Sequence, residues 1–329
     1  MTRIALIGAG RIGTVHARAV SASPGVELAL VCDPFEDRAA QIASVYGADH
    51  SADLQDAFRR DDVDAVIIGS PTPFHVEHIL AAVSAGKRVL CEKPVALDLD
   101  QAKRCLDELG DQAQHVMMGF NRRFDPTFAE IHQRVQQGEI GDLQQLTIVS
   151  RDPAAPPVEY VATSGGLFKD MTIHDFDMAR HFLGDIAGVS ARGTVIDPAI
   201  GEQGDIDQAI VTLWNAAGRT AVIVNSRTCA YGYDQRLEAF GATGSLSADN
   251  LTATAVRRAD AQTTLAKGPV LDFFLARYAD AYRIEIEAFL KAAKTGEPVS
   301  PSVIDGYEAL RVAEAAGQSL AQGGNPVSL

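Results

Sequence analysis

IALIGAGRIG, residues 4–13, is a short apolar run followed by Gly8-x-Gly10-x-x-Gly13 and a helical pattern that begins at Arg11. Strand, tight turn, helix is the context that a dinucleotide-binding fingerprint requires. Gly8 permits the sharp turn, Gly10 lets backbone approach a pyrophosphate, and Gly13 admits close helix packing. Arg11 and Ile12 open the helix, whose unpaired N–H groups favour phosphate. A second strand pattern, Glu27–Cys32, ends at Asp33, 20 residues beyond Gly13. That spacing suits a carboxylate that accepts from the adenosine ribose and repels a 2′-phosphate. NAD is therefore expected over NADP, with Arg38 as the nearby group able to offset the repulsion. Asp33 as a mere helix cap in an ordinary βαβ unit explains less of this ordered pattern.

The same alternation continues outward. Strand patterns at Ala65–Ile68, Lys87–Cys91 and His115–Gly119 are separated by helical patterns at 74–85 and 99–109. This predicts a doubly wound parallel sheet, a Rossmann domain over residues 1–120. From 121 the texture changes. Strand patterns follow at Leu143–Arg151, Val189–Val195, Asp207–Trp214, Thr220–Arg227, Gln235–Phe240, Gly244–Ala248 and Leu251–Val256. Helices are expected over Phe124–Gln137, Phe273–Thr295 and Val303–Ala321. Residues 121–329 thus read as an α+β domain with a large, open-faced, mostly antiparallel sheet. Its last helix is free to pack back on the first domain. A sheet with helices on one face needs cover on the other, which points to self-association.

Composition narrows the function classes. The chain has 329 residues and a net charge of −14, with no Lys/Arg-rich run. Nucleic acid and anionic membranes are disfavoured as partners. No apolar stretch is long enough to span a bilayer, and residues 1–20 do not read as a signal peptide. Cys32, Cys91, Cys105 and Cys229 show no C-x-x-C spacing. A reducing cytoplasm and no zinc are expected.

Three segments place polar groups where chemistry needs them. Glu92-Lys93-Pro94 follows a buried strand, at the ligand end of a parallel sheet; a solvated loop lysine is the plainer reading. Gly165-Gly166 leads into Lys169-Asp170-Met171-Thr172-Ile173-His174-Asp175-Phe176-Asp177. If helical from Asp170, Asp170 and His174 share a face at i and i+4, and Asp177 lies a turn beyond. A carboxylate there orients an imidazole for proton transfer; an N-cap and an interior histidine are the plainer readings. No third ligand stands at metal spacing. Asn121-Arg122-Arg123 follows the last Rossmann strand, so Asn121 or Arg122 is placed to face the crevice, unless the arginines only bridge a hinge. Ser70, Thr72 and His75 sit in or after the loop that follows Ala65–Ile68. His16, His50, His78, His115, His132 and His181 read as surface or packing residues.

In this order GAGRIG, Asp33, SPTPFH, CEKP, GFNRRFD and GGLFKDMTIHDFD resemble the Gfo/Idh/MocA oxidoreductase family, over nearly the whole chain. Within it, they look most like the bacterial members that oxidise inositol. The resemblance implies a Lys–Asp–His constellation at Lys93, Asp170 and His174, and a homotetramer or dimer. It implies cofactor contacts from Gly8, Gly10, Arg11, Ile12, Gly13, Asp33, Ser70, Thr72, His75, Glu92 and Lys93. Substrate contacts carry over to Lys93, Asn121, Arg122, Asp152, Asp170, His174 and, within AYGYDQR, Tyr233. The activity implied is NAD-dependent oxidation of a ring hydroxyl of myo-inositol to 2-keto-myo-inositol. His174 would be the base and Lys93 the stabiliser of the developing oxyanion; Lys93 as the base is the alternative allocation. Scyllo-inositol or a glucose-like aldose is the alternative substrate, and an NAD-binding sensor the non-enzyme alternative.

Overall fold

The computed structural model describes residues 1–329. The chain divides into two compact units. One comprises Met1–Phe124 with Ala279–Leu310, the other Asp125–Tyr278 with Arg311–Leu329.

The first unit holds β1 (Thr2–Ile7), β2 (Val26–Cys32), β3 (Asp49–Ser51), β4 (Ala65–Ile68), β5 (Arg88–Glu92) and β6 (Val116–Gly119). They form a six-stranded sheet in the order β3-β2-β1-β4-β5-β6, parallel throughout. Helices cover both faces of such a sheet, so its strands read as continuous apolar runs. Ile4–Ile7 and Ala65–Ile68 are accordingly buried at every position. The order reverses between β1 and β4, which puts a ligand crevice at the carboxyl ends of those strands. β3 has no counterpart among the expected strands. Its sequence, DHS, is polar and on the sheet edge, where no apolar alternation is needed.

The expected single helix from Phe273 is broken at Tyr278, leaving Phe274–Arg277 and Ala279–Thr295. Just before the break, the buried Arg277 guanidinium pairs with Asp125 and lies over the Phe128 and Tyr278 rings. The helix Ala279–Thr295 packs on the helix Arg11–Ala22 and on the 3-10 turn Asn121–Phe124.

That helix buries Glu285 completely, and neither carboxylate oxygen has a hydrogen-bond partner. Burial first, and the charge of Glu92 second, push its pKa well above the usual range. An acid whose pKa is raised on folding stabilises fully below its unfolded pKa, about 4.3. That contribution is lost as pH rises towards the folded value. Glu285→Gln should therefore unfold in urea much like the wild type near pH 4 and be the more stable protein near pH 8. A variant that gains nothing at the higher pH would show that this carboxyl ionises in place at no cost.

The second unit holds β7 (Leu143–Arg151), β8 (Ile186–Thr194), β9 (Gln208–Asn215), β10 (Thr220–Ser226), β11 (Asp234–Gly241), β12 (Gly244–Ala248), the two-residue strands β13 (Arg257–Arg258) and β14 (Ala266–Lys267), and β15 (Val327–Ser328). The large sheet runs β12-β11-β7-β10-β9-β8-β15. β7 and β10 are parallel, and the other pairs are antiparallel. In β10 Ala221, Ile223 and Asn225 are buried, whereas Thr220, Val222 and Val224 are half-buried. The helix Ile173–Leu183 packs against β7, β9 and β10. Leu251–Val256 is not the strand expected of it. It is largely exposed and makes one isolated bridge, Thr252 to Val270. Its alternating Thr and Ala residues offer too little apolar area to secure a sheet position.

Candidate active site

The cofactor half lies in the first unit. Gly8 has φ +99°, and a Cβ there would meet the Gly69 carbonyl at 2.5 Å. The turns after β1 and β4 therefore touch, and only glycine fits. A Cβ on Gly10 would meet no protein atom within 4 Å. Gly10 is also the N-cap of the helix Arg11–Ala22, with no side chain capping its N–H groups. Open space before uncapped N–H groups suits a pyrophosphate. Gly13 admits the close approach of helix to strand end expected of it. A Cβ there would lie 2.0 Å from the Gly8 carbonyl oxygen, against 3.8 Å from Leu6 on the sheet.

Asp33 is buried, and its carboxylate accepts from Ala9 N–H at 2.7 Å and Phe35 N–H at 2.9 Å. It ties the glycine turn to the end of β2, and its remaining lone pairs suit ribose hydroxyls. Arg38 lies over the exposed Phe35 ring, 4.5 Å from its centroid. Asp33→Ser should raise KM for NAD and lift the NADP/NAD ratio of kcat/KM by about 10-fold to 100-fold, the value of charge-assisted hydrogen bonds. An unchanged ratio would mean that the ribose is held elsewhere.

Around the β4 and β5 ends, Ser70 Oγ bonds His78 Nδ1 at 2.9 Å, and Thr72 opens the 3-10 turn Thr72–Phe74. His75 is buried, with Nδ1 at 2.7 Å from the Pro94 carbonyl and Nε2 at 2.8 Å from the Ser70 carbonyl. It clasps the two turns together, and burial pushes its pKa down. Glu92 Oε1 lies 2.7 Å from Nε2 of the buried His16. The Lys93–Pro94 bond is cis. Asn121 and Arg122 are buried in the turn Asn121–Phe124, and Arg123 pairs with Asp305 at 3.0 Å.

The second unit carries the other candidates. The segment expected to start helical at Asp170 does so as a π turn, Phe168–Thr172, which runs into Ile173–Leu183. π bulges often occur at functional sites. Asp170 Oδ1 accepts from Tyr160 Oη at 2.8 Å and Oδ2 from Arg227 Nη1 at 3.0 Å. His174 lies in the first turn of that helix, half-buried, while Asp175 and Asp177 beyond it are fully buried. Its neighbours are anchored to the sheet. Thr172 Oγ1 donates to Asn225 Oδ1 at 2.7 Å, and Asn225 Nδ2 donates to Asp175 Oδ2 at 2.8 Å. Ser150 Oγ donates to Asp175 Oδ1 at 2.6 Å. Tyr233 is buried edge-on to Phe273 and Tyr278, and Asp152 N–H donates to the Ser226 carbonyl.

Sequence reading missed Tyr160, Asp205, Asn225 and Arg227. The available signal was Asn225-Ser226-Arg227, three polar residues closing an alternating strand. Chemically, the first unit can seat a dinucleotide, and the second carries an ion-paired carboxylate, Asp170, with a half-buried imidazole four residues on, at His174.

Comparison with known proteins agrees with this division. Residues 2–120 match a family described as oxidoreductase, NAD-binding Rossmann fold. Residues 128–247 match the GFO/IDH/MocA C-terminal domain. The chain is 44% identical to inositol 2-dehydrogenase of Rhizobium meliloti, over 97% of each chain. It superposes on a crystal structure of a myo-inositol dehydrogenase from Corynebacterium glutamicum with a TM-score of 0.97 and 49% identity, covering 100% of this chain and 99% of that one. It also superposes on scyllo-inositol dehydrogenase from Lactobacillus casei, with bound cofactor NAD(H) and scyllo-inositol, at a TM-score of 0.91 and 29% identity, covering 100% and 99%. With both of its domains matched and relatives alike over nearly their whole length, the chain belongs to the GFO/IDH/MocA family of NAD-binding oxidoreductases.

Proposed function

We propose that the protein is an NAD-dependent dehydrogenase that oxidises a ring hydroxyl of myo-inositol to the 2-ketone. One observation carries this reading: the likeness to inositol-oxidising relatives runs through both domains, at 44% to 49% identity. NAD, when bound, accepts the hydride. The glycine turn and Asp33 would hold its pyrophosphate and ribose, with Arg11, Ile12, Ser70, Thr72, His75, Glu92 and Lys93 around them.

A neutral polyol hydroxyl is a poor acid, so loss of hydride from its carbon must be coupled to proton removal. His174 takes that proton in our reading, oriented by Asp170. Asp170 accepts one hydrogen bond on each oxygen, from Tyr160 and Arg227, and each oxygen has a lone pair left for an imidazole N–H. Lys93 donates to the reacting oxygen and stabilises its developing charge. Asn121, Arg122, Asp152 and Tyr233 would meet the other hydroxyls.

Scyllo-inositol is the second reading, favoured by the Lactobacillus casei likeness. NADH absorbance with a panel of inositols and aldoses tests both. Turnover is expected with myo-inositol, with scyllo-inositol second. A protein inert to every cyclic polyol would end the proposal.

The half-buried face of the large sheet supports a homodimer or homotetramer, since Ile210 and Phe240 there are 57% and 47% exposed. Four buried, unbridged cysteines support a cytoplasmic setting, and the charge of −14 argues against a nucleic-acid partner.

A further inference from the structure

The guanidinium of Arg227 is 1% exposed and joins two carboxylates. Nη1 donates to Asp170 Oδ2 at 3.0 Å, and Nη2 donates to Asp205 Oδ2 at 3.1 Å. Asp205 reaches further. Its Oδ1 accepts from Leu167 N–H at 3.0 Å, and a Cβ on Gly166 would stand 3.0 Å from the same oxygen. Gly166 has φ +85°, a backbone state that suits glycine, and its carbonyl accepts from Asp170 N–H at 3.0 Å. A closed ring results: Arg227, Asp205, the Gly166–Leu167 turn, the π turn, Asp170 and back to Arg227. Tyr160 Oη holds the remaining oxygen of Asp170.

A buried guanidinium is tolerated only when its charge is matched, and removing it leaves its partners uncompensated. Here the partners are two carboxylates of like charge, with side chains 13% and 10% exposed. Without the cation they repel and draw water, so the Asp170 carboxylate swings away. The Asp205 bond to Leu167 loosens with it, and that bond fixes where the π turn starts.

We propose that Arg227 is a positioning residue for the dehydrogenase reaction. It acts through Asp170, with Asp205 and Tyr160 as supports, and fixes the carboxylate that orients His174. This rests on the reading of His174 as the base and Asp170 as its support.

The test is a double-mutant cycle on the full-length protein, with kcat and KM measured separately. Arg227→Met should lower kcat by about 10-fold to 100-fold, the cost of a misplaced group, and leave KM for NAD unchanged. The double variant Arg227→Met/Asp170→Asn should be no slower than Asp170→Asn alone, because both changes remove one function. Multiplying losses would mean that Arg227 serves the fold and not Asp170, and would overturn the proposal. So would full kcat in Arg227→Met when Asp170→Asn is slow. Full kcat in Asp170→Asn itself would instead remove the underlying reading of Asp170. Should Arg227→Met fail to fold, Tyr160→Phe takes its place, since Tyr160 is 49% exposed and its loss spares the core. It should slow kcat severalfold, without adding to Asp170→Asn; an additive loss would overturn the proposal equally.

Discussion

Replacing His174 with alanine should lower kcat by about 10²-fold to 10⁴-fold, the usual value of a positioned general base, and leave NAD affinity within about twofold. The scaffold survives the change. Thr172 and Asp175, on either side of His174, are tied to Asn225 on β10, and Ser150 on β7 holds Asp175. The segment is therefore fixed by side chains other than the imidazole. The groups assigned to the dinucleotide lie in the other unit, which is why cofactor affinity should hold. Steady-state kinetics with a cyclic polyol, beside an NADH fluorescence titration, separate the two effects. Unimpaired turnover would remove His174 from the chemistry and leave Lys93 as the base.

Gly13→Ala and Gly10→Ala should part company, although each adds one methyl group to the same motif. At Gly13 the new Cβ lies 2.0 Å from the Gly8 carbonyl oxygen, closer than any contact allows. Gly8 cannot retreat, because it already abuts the Gly69 carbonyl and holds φ +99°. The strain falls on backbone on both sides, so the cost should reach or exceed the about 1–3 kcal/mol usual for overpacking. Gly13→Ala should melt at a visibly lower temperature and bind NAD at least about 10-fold more weakly. At Gly10 the methyl group meets no protein atom, so stability should hold while NAD affinity falls. Gly10→Ala with full NAD affinity would show that the pyrophosphate does not approach this turn.

Both expectations rest on features of unequal legibility. The cofactor half is local: strand, glycine turn, helix, strand and acid follow one another within 33 residues. Each part signals itself by periodicity or by backbone need, so β1, β2, Asp33 and a doubly wound parallel sheet could be anticipated. The tightest contact at Gly13 is less legible, because spacing alone does not reveal that the turn folds its own Gly8 carbonyl under the helix. The surroundings of Asp170 are non-local. Arg227 is 57 positions away in sequence and Tyr160 is 10. An arginine at the end of a strand looks the same whether it points to water or into a buried ring of carboxylates. The π turn was equally hidden, since its residues carry the same pattern as an α-helical start. Leu251–Val256 failed for the opposite reason: it alternates like a strand but has little to bury. Glu285 shows a further limit, because a carboxylate within an amphipathic helix reads as solvent-facing until its packing is seen.

We propose that Lys93 and His174 act on one substrate oxygen, with Asp170 behind the imidazole. A crystal structure of the protein with NAD and myo-inositol measures this directly. One ring hydroxyl oxygen should lie within about 3.2 Å of both Lys93 Nζ and a His174 ring nitrogen, with Asp170 still held by Arg227. Inositol bound through either side chain alone, with the other turned to a different group, would contradict it.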